Sequence, residues 1–180
     1  MSIEPLKRVV LTLVVASLGA ATSAAEVPAT EWHSPQSAPE LALDRILKTA
    51  DGDEALLDNI LEGRGKNNFH PSVDYRSMLT PMLLSSIRKY EKLEVKKSCG
   101  GHYLPEVCGI DFSPINCAQD SNDTYLYSTK LGSDQSAIVS YTWPSANPSA
   151  VAIYRMTGGP GHWRIDGIVC ADFGIKFNMP

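Results

Sequence analysis

Four strand-like segments follow one another in the C-terminal half of the chain, and they constrain the fold more than any other feature. They cover residues 124–131, 136–143, 150–156 and 161–170, and β-branched and aromatic side chains are frequent in them. The connections between them are short, and short connections join strands that run in opposite directions. The sequence therefore predicts a four-stranded antiparallel meander.

The last of these segments, Gly161 to Cys170, predicts two different faces, because side chains alternate along a strand. One face would carry Trp163, Ile165, Gly167 and Val169. The opposite face would carry Arg164, Asp166, Ile168 and Cys170. The segment is therefore predicted to lie near the middle of the sheet, with a layer of helices packed around it.

Helical patterns precede the strands. The run Ser37-Ala-Pro-Glu40 has the form of a capping box and predicts a helix start, and Asp51-Gly52 predicts the end of that helix. A second helical pattern begins at Ala55, and Thr80-Pro81 predicts the start of a third. Helices first and strands second predict an α+β fold, with N-terminal helices packed on a mostly antiparallel sheet in one domain over residues 38–180.

The first 25 residues have the order of a secretory signal. Two basic residues are followed by an apolar run from Val9 to Leu18 and by small residues up to Ala25. That run is shorter than the roughly 20 residues that a membrane-spanning helix needs. A signal peptide over residues 1–25 is therefore predicted, and the polar segment 26–37 is predicted to be a flexible lead into the domain.

The charge of the chain narrows the choice of partners. Removal of the predicted signal takes away Glu4, Lys7 and Arg8, so the formal net charge changes from −4 to −5. An acidic chain without a basic run is a poor match for nucleic acids and for anionic membranes. The first cysteine is Cys99, so none follows the signal directly as a lipid anchor. We therefore expect a periplasmic or secreted protein whose partner is another protein or a small ligand.

Four cysteines remain, Cys99, Cys108, Cys117 and Cys170, and an even count in an exported chain favours two disulfides. Three pairings are possible. The favoured pairing joins Cys99 to Cys108 around a short loop and joins Cys117 to Cys170 on the last strand. A zinc site at Cys99, His102 and Cys108 is the alternative, but the same thiols would be oxidised outside the cytoplasm, so disulfides are the better prediction.

The sequence contains no convincing catalytic or metal-binding motif. Asp51, Asp53 and Glu62 have the spacing of a calcium loop, but Ala55 and Leu56 stand where that loop needs an oxygen ligand and a glycine. A Gly-x-Ser-x-Gly sequence does not occur, and two disulfides would leave no free thiol as a nucleophile. We therefore predict no metal and no cofactor.

Acid–base chemistry is the catalytic alternative that stays open. Asp111, Asp120 and Asp166 would serve it if they converged with Arg164 in a pocket between the helices and the sheet. In the competing interpretation, Arg164 and Asp166 pair with each other or with neighbouring strands. The candidate binding residues are Asp111, Gln119, Asp120, Arg164 and Asp166.

Several stretches resemble one known family. Asp111 to Asp120, Tyr125 to Tyr127, Trp163 to Ile168 and the helix start at Thr80 are similar to a family of small exported bacterial proteins of unknown function. Its members have the cone-shaped, nuclear-transport-factor-like fold. The resemblance implies a curved antiparallel sheet wrapped around the helices, a pocket at the open end of the cone and a bacterial periplasm, and it supplies no catalytic residues.

The expected function is that of a soluble, non-catalytic binding protein in the periplasm. Within this class, an inhibitor or an immunity protein against a secreted enzyme is favoured. The expected contact surface is the segment 99–120, together with the strand face that carries Arg164 and Asp166. The alternatives are an isomerase or hydratase of the cone fold that uses a pocket aspartate, and a carrier of a small apolar ligand.

Overall fold

The computed structural model describes residues 31–64, 68–104, 107–119, 124–133, 135–144, 150–159 and 161–180. The predicted signal at 1–25 and the candidate residue Asp120 lie outside these ranges. The helices are α1 (Ala38–Asp51), α2 (Leu56–Leu61) and α3 (Pro81–Cys99), with one 3-10 turn at Tyr75–Ser77. The strands are β1 (Leu126–Ser133), β2 (Ser136–Thr142), β3 (Ala152–Thr157), β4 (Arg164–Cys170) and β5 (Ile175–Phe177).

The helices begin and end where local sequence signals predict. The Glu40 carboxylate accepts a hydrogen bond of 2.9 Å from the backbone N–H of Ser37, which is one half of the predicted capping box. At the start of α3 the Thr80 hydroxyl accepts from the backbone N–H of Leu83. Gly100, with φ of 61°, ends α3 in the left-handed conformation that glycine adopts most easily.

The strands form one antiparallel sheet in the order β1-β2-β3-β4-β5, so the chain has the predicted α+β class. Burial alternates along β3, where Ala152, Tyr154 and Met156 are buried. Helices α1 and α3 contact the sheet and cover this face. The core therefore lies between the helical layer and one side of the sheet.

The sheet has a fifth strand that the sequence analysis did not predict. Strand β5 pairs with β4 after a tight turn at 171–174, in which the N–H of Gly174 bonds to the carbonyl of Ala171. Phe177 is fully buried and its ring meets Tyr90 of α3 edge to face. Three residues are too few for alternation to show, so the strand is recognisable only from its pairing. Strand β4 consequently has a neighbour on each side.

The predicted division of faces along β4 is wrong beyond Asp166. Arg155 of β3 lies opposite Gly167, whereas the next residue of β3 lies opposite Ile165, so Asp166 is an extra residue in a β-bulge. The bulge shifts the alternation by one position. Ile168 and Cys170, expected on the polar face with Asp166, are therefore fully buried together with Ile165.

The end of the predicted flexible lead is held on the sheet. His33 forms a bridge with Tyr127 of β1, with hydrogen bonds of 3.1 Å and 2.8 Å between their backbones. The composition of residues 26–37 gives no sign of this contact, because the bonds involve backbone atoms alone.

The two disulfides join the pairs that the sequence analysis favoured. Cys99–Cys108 closes a loop after α3, and Cys117–Cys170 ties the following segment to the end of β4. Both thiol pairs are therefore used as cross-links, which fits a protein outside the cytoplasm. Among the helices that the structure describes, none is both long enough and apolar enough to cross a membrane.

Candidate functional site

The space between α1 and the sheet is occupied by tyrosine side chains. Their hydroxyls donate to acidic side chains or to backbone carbonyls: Tyr125 to Asp51, Tyr127 to Asp44, Tyr141 to the carbonyl of Asn116, and Tyr154 to the carbonyl of Ile115. Buried polar groups are stable when they are paired in this way. The interior of the fold therefore carries a satisfied hydrogen-bond network.

These phenols act as hydrogen-bond donors and not as proton carriers. Burial raises the pKa of Tyr127, Tyr141 and Tyr154 well above the ordinary value of 10.0, and nearby carboxylates raise the pKa of Tyr127 further. The phenols consequently stay protonated across the physiological pH range. Their role is to hold the sheet to α1 and to the segment 113–117.

Asp166 forms hydrogen bonds that hold several parts of the fold together. The hydroxyl of Thr80 donates to Asp166 Oδ1 at 2.8 Å, and Arg155 Nε donates to Asp166 Oδ2 at 2.8 Å. Asn178 Nδ2 donates to the Asp166 backbone carbonyl at 2.6 Å. This agrees with the interpretation in which Asp166 pairs with a neighbouring strand, and the partner is Arg155 of β3. The carboxylate links the start of α3, two strands and the C-terminal tail.

Asp111 and Gln119 lie in a groove of about 1070 Å³, which we call the acidic groove. Its walls come from the start of α2, the last turns of α3 and the segment 103–119. Four acidic side chains line it: Glu54, Asp58, Glu94 and Asp111. Arg64 is the one basic side chain among the lining residues, and Glu91 neutralises it at 2.9 Å. Acidic side chains therefore outnumber basic ones among the described lining residues, and Lys97 pairs with one of them, Glu94, at 3.7 Å.

The loop beside the acidic groove is closed by a disulfide and exposes apolar side chains. The Cys99–Cys108 disulfide closes it, and the buried Glu91 carboxylate accepts from the N–H of Ile110 at 2.6 Å. Leu104 is 52% exposed and Val107 is 70% exposed. We call these two side chains the apolar rim.

A second groove, of about 790 Å³, lies at the other end of β4 from Cys170, and we call it the basic groove. Its walls come from α1, from the residue before β2 and from the turn between β3 and β4. Arg45, His162 and Arg164 line it, and its described lining contains no carboxylate. All three side chains belong to exposed residues.

The structure separates the candidate residues that the sequence analysis grouped. Asp111 and Gln119 are exposed in the acidic groove, and Arg164 is exposed in the basic groove. Asp166 is held by its partners, and Asp120 lies outside the described residues. The convergence of Asp111 and Asp166 with Arg164 in one pocket, which acid–base chemistry would need, is therefore not found among the described residues.

Two groups of site residues were not singled out in the sequence, although the apolar rim lies inside the predicted contact segment 99–120. The apolar rim had a usable signal, since two large apolar residues stand in a loop between paired cysteines. Arg45 had none, because its proximity to Arg164 depends on how α1 packs on the sheet. Within the described ranges, no three His, Cys, Asp or Glu side chains are grouped so that they would hold a metal ion.

Comparisons with protein-family models, with curated proteins and with solved structures found no match for this chain. The resemblance to the exported cone-fold family therefore stays a prediction from its short motifs.

Proposed function

We propose that this chain is a non-catalytic periplasmic binding protein that holds a protein partner at the acidic groove. The observation that carries the proposal is the apolar rim. Leu104 and Val107 are exposed on a loop that is fixed by a disulfide, directly beside a groove lined by acids. Interfaces between proteins combine an apolar centre with a polar surround, and this surface has both parts.

The partner's contact surface would be basic. Glu54, Glu94 and Asp111 stand in the wall of the acidic groove, and the charge of Arg64 is already matched by Glu91. Complementary charge speeds association and selects the partner. The Cys99–Cys108 disulfide also restricts the loop before binding, which reduces the conformational entropy lost on binding.

A secreted enzyme with a basic surface is the partner class that we favour, so the role would be that of an inhibitor or an immunity protein. The signal-like N-terminus and the two disulfides support action outside the cytoplasm. The cone-fold resemblance adds a bacterial periplasm and a curved sheet to the proposal. Neither part of that resemblance is needed for the argument from the acidic groove.

The two alternatives gain less support from the geometry. An acid–base enzyme needs a carboxylate held without partners in an apolar pocket. Asp111 is exposed and Asp166 has Thr80 and Arg155 as partners. A carrier of an apolar ligand needs an apolar cavity, whereas both described grooves are lined by charged side chains and tyrosine rings occupy the space between α1 and the sheet.

Co-purification from the periplasm of the native host tests the proposal. The tagged wild-type chain is compared with the double variant Leu104→Ser, Val107→Ser. A matched control is Met82→Ser with Leu131→Ser, because those residues are 66% and 70% exposed and lie outside both grooves. We expect one protein to be retained by the wild type and the control, and its retention to fall about tenfold in the rim variant.

The retained partner should dissociate from the tagged chain as salt concentration rises, because salt screens the attraction between the acidic side chains and a basic partner. Far-UV and near-UV circular dichroism of each variant establishes that the fold is intact. The proposal fails if no specific protein is retained by the wild type at micromolar concentration. It also fails if the rim variant and the control retain the partner equally.

A further inference from the structure

The arginines of this protein fall into two groups. Six lie in the described part of the chain, and four of them form ion pairs: Arg64 with Glu91, Arg76 and Arg88 with Glu62, and Arg155 with Asp166. The guanidinium groups of the remaining two, Arg45 and Arg164, have no hydrogen-bond or ion-pair partner among the described residues. Both line the basic groove.

This arrangement is unusual for a chain with a net charge of −4. Acidic side chains are plentiful enough to pair four arginines, yet none of the described residues that line the basic groove is acidic. Two unpaired guanidinium groups therefore face one space. Guanidinium is the side-chain group that best matches carboxylate and phosphate oxygens, since its donors form a planar fork.

The rest of the described lining is mixed: Ser77, Gln135 and His162 are polar, three positions are glycines, and the other side chains are apolar. Ala42 and Ile46 of α1 and Met78 form one part, and the partly buried Trp163 forms another. The turn contributes glycines, and a Cβ built on Gly159 would meet nothing within 4 Å. The groove thus combines two cations with a surface to which aromatic, aliphatic and polar side chains contribute.

We propose that the basic groove binds a small amphiphilic organic anion. Its acid group would pair with the guanidinium groups of Arg45 and Arg164, and its apolar body would contact Trp163 and Ile46. This goes beyond the proposed function, because the basic groove and the acidic groove share no described lining residue.

A pair of fluorescent probes tests the site. The anion 8-anilinonaphthalene-1-sulfonate and the uncharged N-phenyl-1-naphthylamine share one ring system and differ by the sulfonate. We expect the wild-type chain to bind the anion at least tenfold more tightly. Arg45→Gln and Arg164→Gln should each weaken anion binding about tenfold, since each removes one charge-assisted contact. Neither variant should change binding of the uncharged probe.

Two controls separate this site from other effects. Lys130→Gln makes the same change of charge on an exposed residue of β1, outside both grooves, and should leave anion binding unchanged. The double variant Leu104→Ser, Val107→Ser should bind the anion as tightly as the wild type does. Loss of partner binding in that variant and loss of anion binding in Arg164→Gln would therefore report on different sites.

Displacement of the bound sulfonate identifies the acid group. Decanoate and decyl phosphate carry different acids on one chain length, and decanol carries none. Displacement by either anion, but not by decanol, supports the proposal and ranks the two acids. The proposal is overturned if the wild type does not bind the sulfonate, if decanol displaces it as well as the anions do, or if Lys130→Gln weakens binding as much as Arg164→Gln.

Discussion

The Glu40 carboxylate is 1% exposed and serves two parts of the molecule at once. It accepts hydrogen bonds of 2.9 Å from the N–H groups of Gln36 and Ser37, and one of 2.6 Å from the hydroxyl of Thr129 on β1. Burial alone would raise the pKa of Glu40, but these hydrogen bonds outweigh it and the pKa lies below the ordinary value of 4.5. The folded state therefore favours the charged form.

Replacement of Glu40 by Gln should lower the free energy of unfolding by about 2 kcal/mol at pH 7, because hydrogen bonds to a charged group are lost. A lowered pKa in the folded state stabilises the fold above the unfolded pKa, and this contribution disappears as pH falls through the folded pKa. The difference between wild type and variant should therefore shrink below about pH 4.5. Urea unfolding at pH 7, 5, 4 and 3 measures it.

The exposed Glu54 supplies the matched control for this experiment. Glu54→Gln makes the same chemical change on the surface, and its effect at pH 7 should stay within about 0.5 kcal/mol of wild type. An equal loss of stability in Glu40→Gln at pH 7 and at pH 3 would contradict the interpretation, since the loss would then not depend on the charge.

At the scale of single elements, the bulge in β4 and the C-terminal tail depend on each other. Asn178 donates to the backbone carbonyl of Asp166 at 2.6 Å, and Arg155 donates to the carbonyl of Asn178 at 2.6 Å. A Cβ at Gly167 would lie 2.7 Å from the sulfur of Met179 and 2.8 Å from the carbonyl oxygen of Asn178. The tail can pack against the bulge because residue 167 has no side chain.

Gly167→Ala should therefore destabilise the fold by about 2 kcal/mol, because the added methyl group collides with backbone that cannot simply rotate away. Gly159→Ala is the control, since the space around that Cβ is empty, and its effect should stay within about 0.5 kcal/mol. Urea unfolding of both variants gives the two values. Equal stability of Gly167→Ala and Gly159→Ala would show that the tail does not pack on β4 in solution.

Elements that depend on neighbouring residues were predictable, and those that depend on distant ones were not. Thr80-Pro81 marks the start of α3 because a cap is a local hydrogen bond. Strand β5 and the bulge at Asp166 exist only through their pairing with β4 and β3. The sequence left three cysteine pairings open, because Cys108 lies as many residues from Cys117 as from Cys99, and only the fold decides between them. Arg45 and Arg164 line one groove because of the way α1 packs on the sheet. The sequence contains no signal for that packing, so the basic groove could not be predicted.

For the whole molecule, the two disulfides have different tasks. Cys117 and Cys170 are 1% and 0% exposed, and their disulfide joins the segment that contains Asn116 to the end of β4. The backbone carbonyl of Asn116 accepts a hydrogen bond from the hydroxyl of Tyr141. Cys99–Cys108 closes a loop at the surface that carries the apolar rim. The first bridge joins parts of the core, and the second shapes the proposed contact surface.

Removal of each bridge should separate these tasks. The bridges span 53 and 9 residues, so loop closure predicts losses of about 4 kcal/mol for Cys117→Ala with Cys170→Ala, and about 3 kcal/mol for Cys99→Ala with Cys108→Ala. Urea unfolding measures both. The variant Cys99→Ala with Cys108→Ala should lose less stability than the other double variant. It should nevertheless retain less of the partner, because the loop that carries the apolar rim is no longer closed by a disulfide. This division of roles would be contradicted if Cys99→Ala with Cys108→Ala lost more stability than Cys117→Ala with Cys170→Ala. It would also be contradicted if the variant without the Cys99–Cys108 bridge retained the partner as well as the wild type does.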